Sequence, residues 1–136
     1  MDIISILFFI GMVWLYFKIN SKPRKRTPYE QKKFREEALR VAKRDRYGNI
    51  QDAYTGKYHK AKSMDADHIY PYSKGGANAA WNSAMTHKSV NRSKGDKISP
   101  KYMAKGYANN SEAKKKAKKA GIGAAVVGSI LGESDI

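Results

Sequence analysis

From Ile3 to Phe17 the chain is apolar except at Ser5 and Gly11, and the run continues past Lys18 to Ile19. At a helical rise of 1.5 Å per residue these positions reach roughly 25 Å, slightly less than the ~30 Å hydrocarbon layer of a bilayer. The pattern predicts a transmembrane anchor over residues 1–20, with Lys18 snorkelling or the bilayer thinning to close the gap. A helix packed on a partner or lying in the interface is the competing reading. Asp2 precedes the run, whereas Lys18, Lys22, Arg24, Lys25 and Arg26 follow it. A cleaved secretory signal has the opposite arrangement. The same asymmetry predicts a single-pass cell-membrane protein with its N-terminus outside, the remainder cytoplasmic, and Trp14, Tyr16 and Phe17 at the inner interface.

The pattern then changes. Residues 21–26 read as a basic linker suited to anionic head groups. Thr27-Pro28-Tyr29-Glu30 is a capping box with proline at the first helical position. It predicts an amphipathic helix over 27–48 with Phe34, Ala38, Val41 and Ala42 on one face and Gly48 as its stop. No long helical period survives from Asn49 to Lys101, where Gly, Asn, Tyr and Pro punctuate short segments, as in a compact hairpin with loops and one short helix. We take 49–105 as the core and 106–136 as a lysine-rich helix, Ser111 to Lys119, followed by a Gly/Ala-rich apolar tail from Ala120 to Gly132 that is too short to span alone. The expected class is α+β.

Charge and cysteine content narrow the function. The 136 residues carry a net +15, and every basic residue lies between Lys18 and Lys119. Such a surplus opposes compaction and attracts a polyanion, either nucleic acid or an anionic membrane. Cysteine is absent, which excludes disulfides, thiolate metal sites and cysteine nucleophiles.

Asp67-His68 puts a carboxylate and an imidazole on adjacent residues, and adjacent side chains of a strand point to opposite faces. Pro71, Ser73, Gly75 and Gly76 form a turn-rich loop, and Trp81 to Thr86 can return as a second strand beginning at Asn82. Thr86 or His87 then caps a helix that presents Asn91, Arg92 and Lys94 and stops at Gly95. Phosphodiester hydrolysis requires a base, a cation to neutralise developing charge, and donors that hold the phosphate. Asp67 supplies a hard anionic oxygen and Asn91 an amide oxygen, a sparse set suited to Mg²⁺ or Mn²⁺ that keeps several waters. His68 is the candidate base, since an unperturbed imidazole titrates near pH ~6.5. Asn82 is suited to fixing the imidazole or the loop, and Arg92 and Lys94 to clamping phosphate. Lys88, Lys97, Lys101 and Lys105 are general phosphate contacts if nucleic acid crosses this face, and ordinary surface lysines otherwise. His87, four residues before Asn91, is an alternative ligand or a simple cap. Asp65 either supports the site or ends a strand in solvent, and His59 has no spacing argument.

The run Asp67-His68-Ile69-x-Pro71-x-Ser73-x-Gly75-Gly76, then Asn82, then Asn91-Arg92-x-Lys94-Gly95-Asp96, resembles the HNH endonuclease (ββα-metal) family from Met64 to Lys97. With Asn as the final ligand it is the HNN variant, similar to the HNH module of RNA-guided CRISPR effector nucleases. The resemblance implies a ββα-metal core in which Asp67 and Asn91 bind the metal, His68 is the general base and Asn82 orients it. It also implies cleavage that leaves a 5′-phosphate and a 3′-hydroxyl. Tyr54-Thr55-Gly56-Lys57 resembles the loop that often precedes the motif. Many relatives carry Cys-x-x-Cys pairs around the hairpin; here packing by Tyr54, Ile69 and Trp81 must serve instead. The expected function is metal-dependent cleavage of DNA, with RNA as the alternative substrate and Arg92, Lys94 and Lys97 on phosphate, with little sequence preference. A membrane-tethered nuclease would suit phage defence or exclusion. The rivals are a non-catalytic basic membrane protein that binds nucleic acid or anionic lipid, and a membrane-active protein that perturbs bilayers.

Overall fold

The computed structural model describes residues 1–20 and 25–121; the rest of the basic linker and the tail beyond Gly121 lie outside the described residues. Helix α1 runs Ile3–Asn20, with the Asp2 carboxylate accepting from the Ser5 amide at 2.7 Å. None of its residues is buried.

Helix α2, Pro28–Val41, begins as the capping box dictates: Thr27 Oγ1 accepts from the Glu30 amide at 3.2 Å, and Glu30 accepts from the Thr27 amide at 2.7 Å. It ends earlier than expected. Ala42 is extended, and the Asp45 carboxylate collects the amides of Tyr47 and Asn49 into a turn in which Gly48 has φ 81°. A short polar side chain that bonds its own neighbouring backbone competes with helix continuation. Gly48 therefore serves the turn, not the helix end.

Strands β1 (Ile50–Gln51) and β2 (Tyr58–His59) form a small antiparallel ladder. The main hairpin pairs β3, Met64–His68, with β4, Ser83–His87, in antiparallel register from Met64↔His87 to His68↔Ser83. Helix α3, Lys88–Lys94, follows directly, capped by His87 and stopped at Gly95, which completes the expected strand–loop–strand–helix unit. Two further helices close the fold. Helix α4, Pro100–Ala108, starts at a Ser99 cap and crosses the expected boundary at residue 105; α5, Ser111–Lys119, is the expected lysine-rich helix. The chain is thus α+β, with an apolar N-terminal helix.

The hairpin separates two apolar clusters. Ala38 of α2 packs with Ile50, Met64 and Met85 on one side, and Tyr54, Ile69 and Ala84 pack with Val90, Tyr102, Met103 and Tyr107 on the other. Gly106 allows α4 to approach, since a Cβ there would stand 2.9 Å from Ile69 and 3.0 Å from the Tyr54 ring. Tyr54 and Ile69 are core residues as expected, but Trp81 is only half-buried, with Lys116 Nζ 4.9 Å from its ring centroid.

Buried polar side chains fasten the remaining joints. Asp52, with no exposed surface, accepts from the amides of Tyr54 at 2.8 Å, Thr55 at 3.2 Å and His87 at 2.9 Å, and from the Thr86 hydroxyl at 3.0 Å. It ties the first ladder to the end of β4. Asn110 similarly donates to the carbonyls of Ala80 and Ser83, both at 2.8 Å. Asp52→Ala strands these buried donors, and we expect a loss of about 3 kcal/mol, read as a lower urea midpoint at unchanged slope.

Candidate active site

Strand alternation separates the two adjacent side chains of the motif. Asp67 faces α3 and His68 faces α2. Asp67 Oδ2 accepts from the Tyr54 hydroxyl at 2.6 Å and pairs with Lys94 Nζ at 2.9 Å. Lys94 Nζ also donates to the His68 carbonyl at 3.1 Å. One ammonium thus holds the Asp67 side chain and the His68 main chain together. Burial pushes the Asp67 carboxyl above the usual carboxylate range, although Tyr54 and Lys94 draw it down. Burial and the Asp67 charge push the Tyr54 phenol strongly upward, so it stays protonated and able to donate.

The His68 ring is held on several sides. It stacks face to face on Phe34 of α2, centroids 3.8 Å apart, and leans on Tyr72 at 5.3 Å. Its Nε2 lies 3.1 Å from Asn78 Oδ1. An amide oxygen only accepts, so in this bond Nε2 carries the ring proton.

Asn82 does not reach the imidazole. Fully buried, it accepts from the Tyr70 amide at 2.9 Å and the Tyr107 hydroxyl at 3.0 Å, and donates to the carbonyls of Tyr70 and Ala77, both at 3.0 Å. It fixes the loop that follows β3, which is the second of the two roles its position suggested; Asn78 is the asparagine on the ring. Asn78 lies in a loop without periodicity, and nothing in the sequence singles it out.

Lys94 is corrected more sharply. Expected as a phosphate clamp, it is 1% exposed and bonded inside the protein, so it has no path to a nucleic acid. A cation on the inner face of a short helix, opposite a buried carboxylate, is drawn into the pair. Arg92 and Lys97 are exposed. Asn91 donates from Nδ2 to Asp65 Oδ2 at 3.2 Å, which turns the amide nitrogen toward Asp65 and leaves its carbonyl oxygen as a donor atom. His87 Nδ1 is engaged by Ser89, accepting from its amide at 3.2 Å, and its ring lies 4.7 Å from that of His59.

Asp67 and His68 open into one cavity of about 440 Å³, with Tyr72 and Asp96 among its walls. Asn91 and Asp65 line an adjoining one of about 410 Å³. Arg26 and Gln31 line both. Among the described residues no cluster of three His, Asp or Glu side chains is poised for an ion, so any metal here would rely on few protein oxygens and on water.

Residues 52–100 match the HNH endonuclease family model. That segment is an HNH endonuclease module. Nucleases of this family are generally metal-dependent. No curated protein and no solved structure matches the chain. The HNH match begins at Asp52 and ends at Pro100, so it contains β2, the β3–β4 hairpin and α3 but excludes β1 and Phe34, the residue stacked on His68.

Lys94→Met leaves the Asp67 charge buried without its cation, and should cost about 3 kcal/mol near pH 7.5. A carboxyl whose pKa is higher folded than unfolded takes up a proton on folding, so its contribution is favourable at low pH and is lost as pH rises. The substitution raises that pKa further. The destabilisation should therefore shrink in urea melts near pH 5; a penalty that stays constant with pH would show that Asp67 is not the group left exposed to the loss.

Proposed function

We propose that the chain is a membrane-tethered, metal-dependent endonuclease that cuts DNA with little sequence preference. The observation that carries this reading is the division of one strand into a carboxylate face and an imidazole face that open into the same cavity, with Lys94 locking both residues.

The donor chemistry fits Mg²⁺ or Mn²⁺. Tyr54 and Lys94 both engage Oδ2 of Asp67, and Asn91 turns its Nδ2 to Asp65, so Oδ1 of Asp67 and the amide oxygen of Asn91 are the hard oxygens suited to the ion. Asp67 and Asn91 would hold the ion, with waters completing its shell. Bound there, it would neutralise charge on the phosphate oxygens and the leaving oxygen. His68 takes the proton of the attacking water, with Asn78 engaging its Nε2 and Phe34 holding the ring plane. Asn82 keeps the loop below the ring in place. Exposed Arg92 and Lys97 supply phosphate contacts, and the strongly basic middle of the chain makes backbone charge the dominant binding term. By the family resemblance the products carry a 5′-phosphate and a 3′-hydroxyl.

Helix α1 supports the tether. It is long and apolar enough to cross a bilayer, and side chains such as Ile4, Phe8 and Ile19 are more than two-thirds exposed. Each such side chain left in water forgoes about 1.5–3 kcal/mol. Lys18 Nζ sits 4.7 Å from the Trp14 ring centroid, a pair suited to the interface. With the positive-inside orientation the nuclease faces the cytoplasm, where it meets incoming DNA, phage DNA included.

Plasmid relaxation with Mg²⁺ or Mn²⁺ should be abolished by EDTA and fall roughly 10²–10⁴-fold in His68→Ala. Intact cleavage in that variant, or in EDTA, would refute the site. Deletion of residues 1–20 should move the protein from the membrane to the soluble fraction; recovery of both forms as soluble protein would refute the tether.

A further inference from the structure

The cavity that holds Asp67 and His68 has a second wall, built from residues ahead of the HNH match. Lys25, Arg26 and Gln31 line it opposite the motif residues. Arg26 is half-buried, and its guanidinium carbon stands 5.4 Å from the centroid of Phe34 and 5.5 Å from that of Tyr72. These are the rings that hold His68. The main chain of Arg26 is fixed as well, since Gln31 Nε2 donates to its carbonyl at 3.2 Å.

Its charged edge is a different matter. Among the described residues the guanidinium has no carboxylate or hydrogen-bond partner, although Asp67 and Asp96 line the same cavity. Asp67 is instead paired with Lys94. A guanidinium stacked on aromatic rings keeps its planar fork of N–H donors available, and that fork matches the oxygens of a phosphate. A lysine at this position would offer a point charge without the stack.

We propose that Arg26 is a substrate-positioning residue that grips a backbone phosphate of the nucleic acid beside the bond presented to His68. The inference rests on the nuclease reading for its kinetic consequence, but phosphate gripping can be measured without cleavage. It makes Arg26, just ahead of α2, part of the active site.

The test uses the full chain in neutral detergent. With Mn²⁺ and a short labelled duplex, Arg26→Ala should raise KM about tenfold or more, with the loss falling on KM and not on kcat, and Arg26→Lys should recover part of it. In EDTA, anisotropy titrations of the same duplex should show a similar loss of affinity, and the slope of log affinity against log salt should be smaller by about one. Melting curves that match wild type confirm that the variants are folded. If folded Arg26→Ala retains wild-type KM, affinity and salt slope, the proposal is wrong. If wild type binds duplex but never cleaves it, the nuclease reading fails while the binding arm still decides the role of Arg26.

Discussion

One ammonium group organises this small nuclease module. Lys94 Nζ lies between the Asp67 carboxylate and the His68 carbonyl, almost wholly removed from water. Taking a charge out of water costs several kcal/mol, and only close pairing with further hydrogen bonds repays it. That condition is met by the 2.9 Å contact to Asp67, by the His68 carbonyl, and by the Tyr54 hydroxyl on the same carboxylate oxygen. The arrangement leaves little freedom in how α3 lies across β3, and so it fixes the helix that carries Asn91 against the strand that carries Asp67.

The same logic recurs wherever the fold lacks a covalent staple. Asp52, Asn82, Lys94 and Asn110 are each at most 2% exposed, and each bonds main-chain groups far away in sequence. A formed hydrogen bond adds only about 1 kcal/mol net, whereas an unmade buried one costs 1–3 kcal/mol. Their chief effect is therefore to penalise other arrangements of a fold whose two ladders are short. Packing by Ile50, Met64, Tyr54 and Ile69 supplies the bulk of the cohesion, and the polar residues select the geometry.

Much of this was legible in local chemistry. The Thr27 capping box, the Asp67-His68 strand, the His87 cap and the Gly95 stop act over a few residues, and their outcomes could be read from spacing alone. What escaped depends on contacts distant in sequence. The burial of Lys94 requires knowing that α3 turns that side chain inward onto Asp67. Phe34 reads as an ordinary core position of an amphipathic helix until α2 is placed over His68, and Arg26 reads as linker charge until its rings are assembled. The early end of α2 reflects Asp45, whose side-chain turn outcompetes a helix pattern that would otherwise run to Gly48. The carboxylate and the amide proposed as metal donors are placed along one face by strand and helix geometry, but their selectivity for an ion follows from oxygen chemistry, not from spacing.

The most direct test of the account is whether a divalent ion binds where those donors meet. Titration of the full chain with Mn²⁺, followed by electron paramagnetic resonance, should reveal a bound ion that is lost in Asp67→Asn and in Asn91→Ala while both variants remain folded. Binding that survives both substitutions, or no bound ion in the wild type, would contradict it.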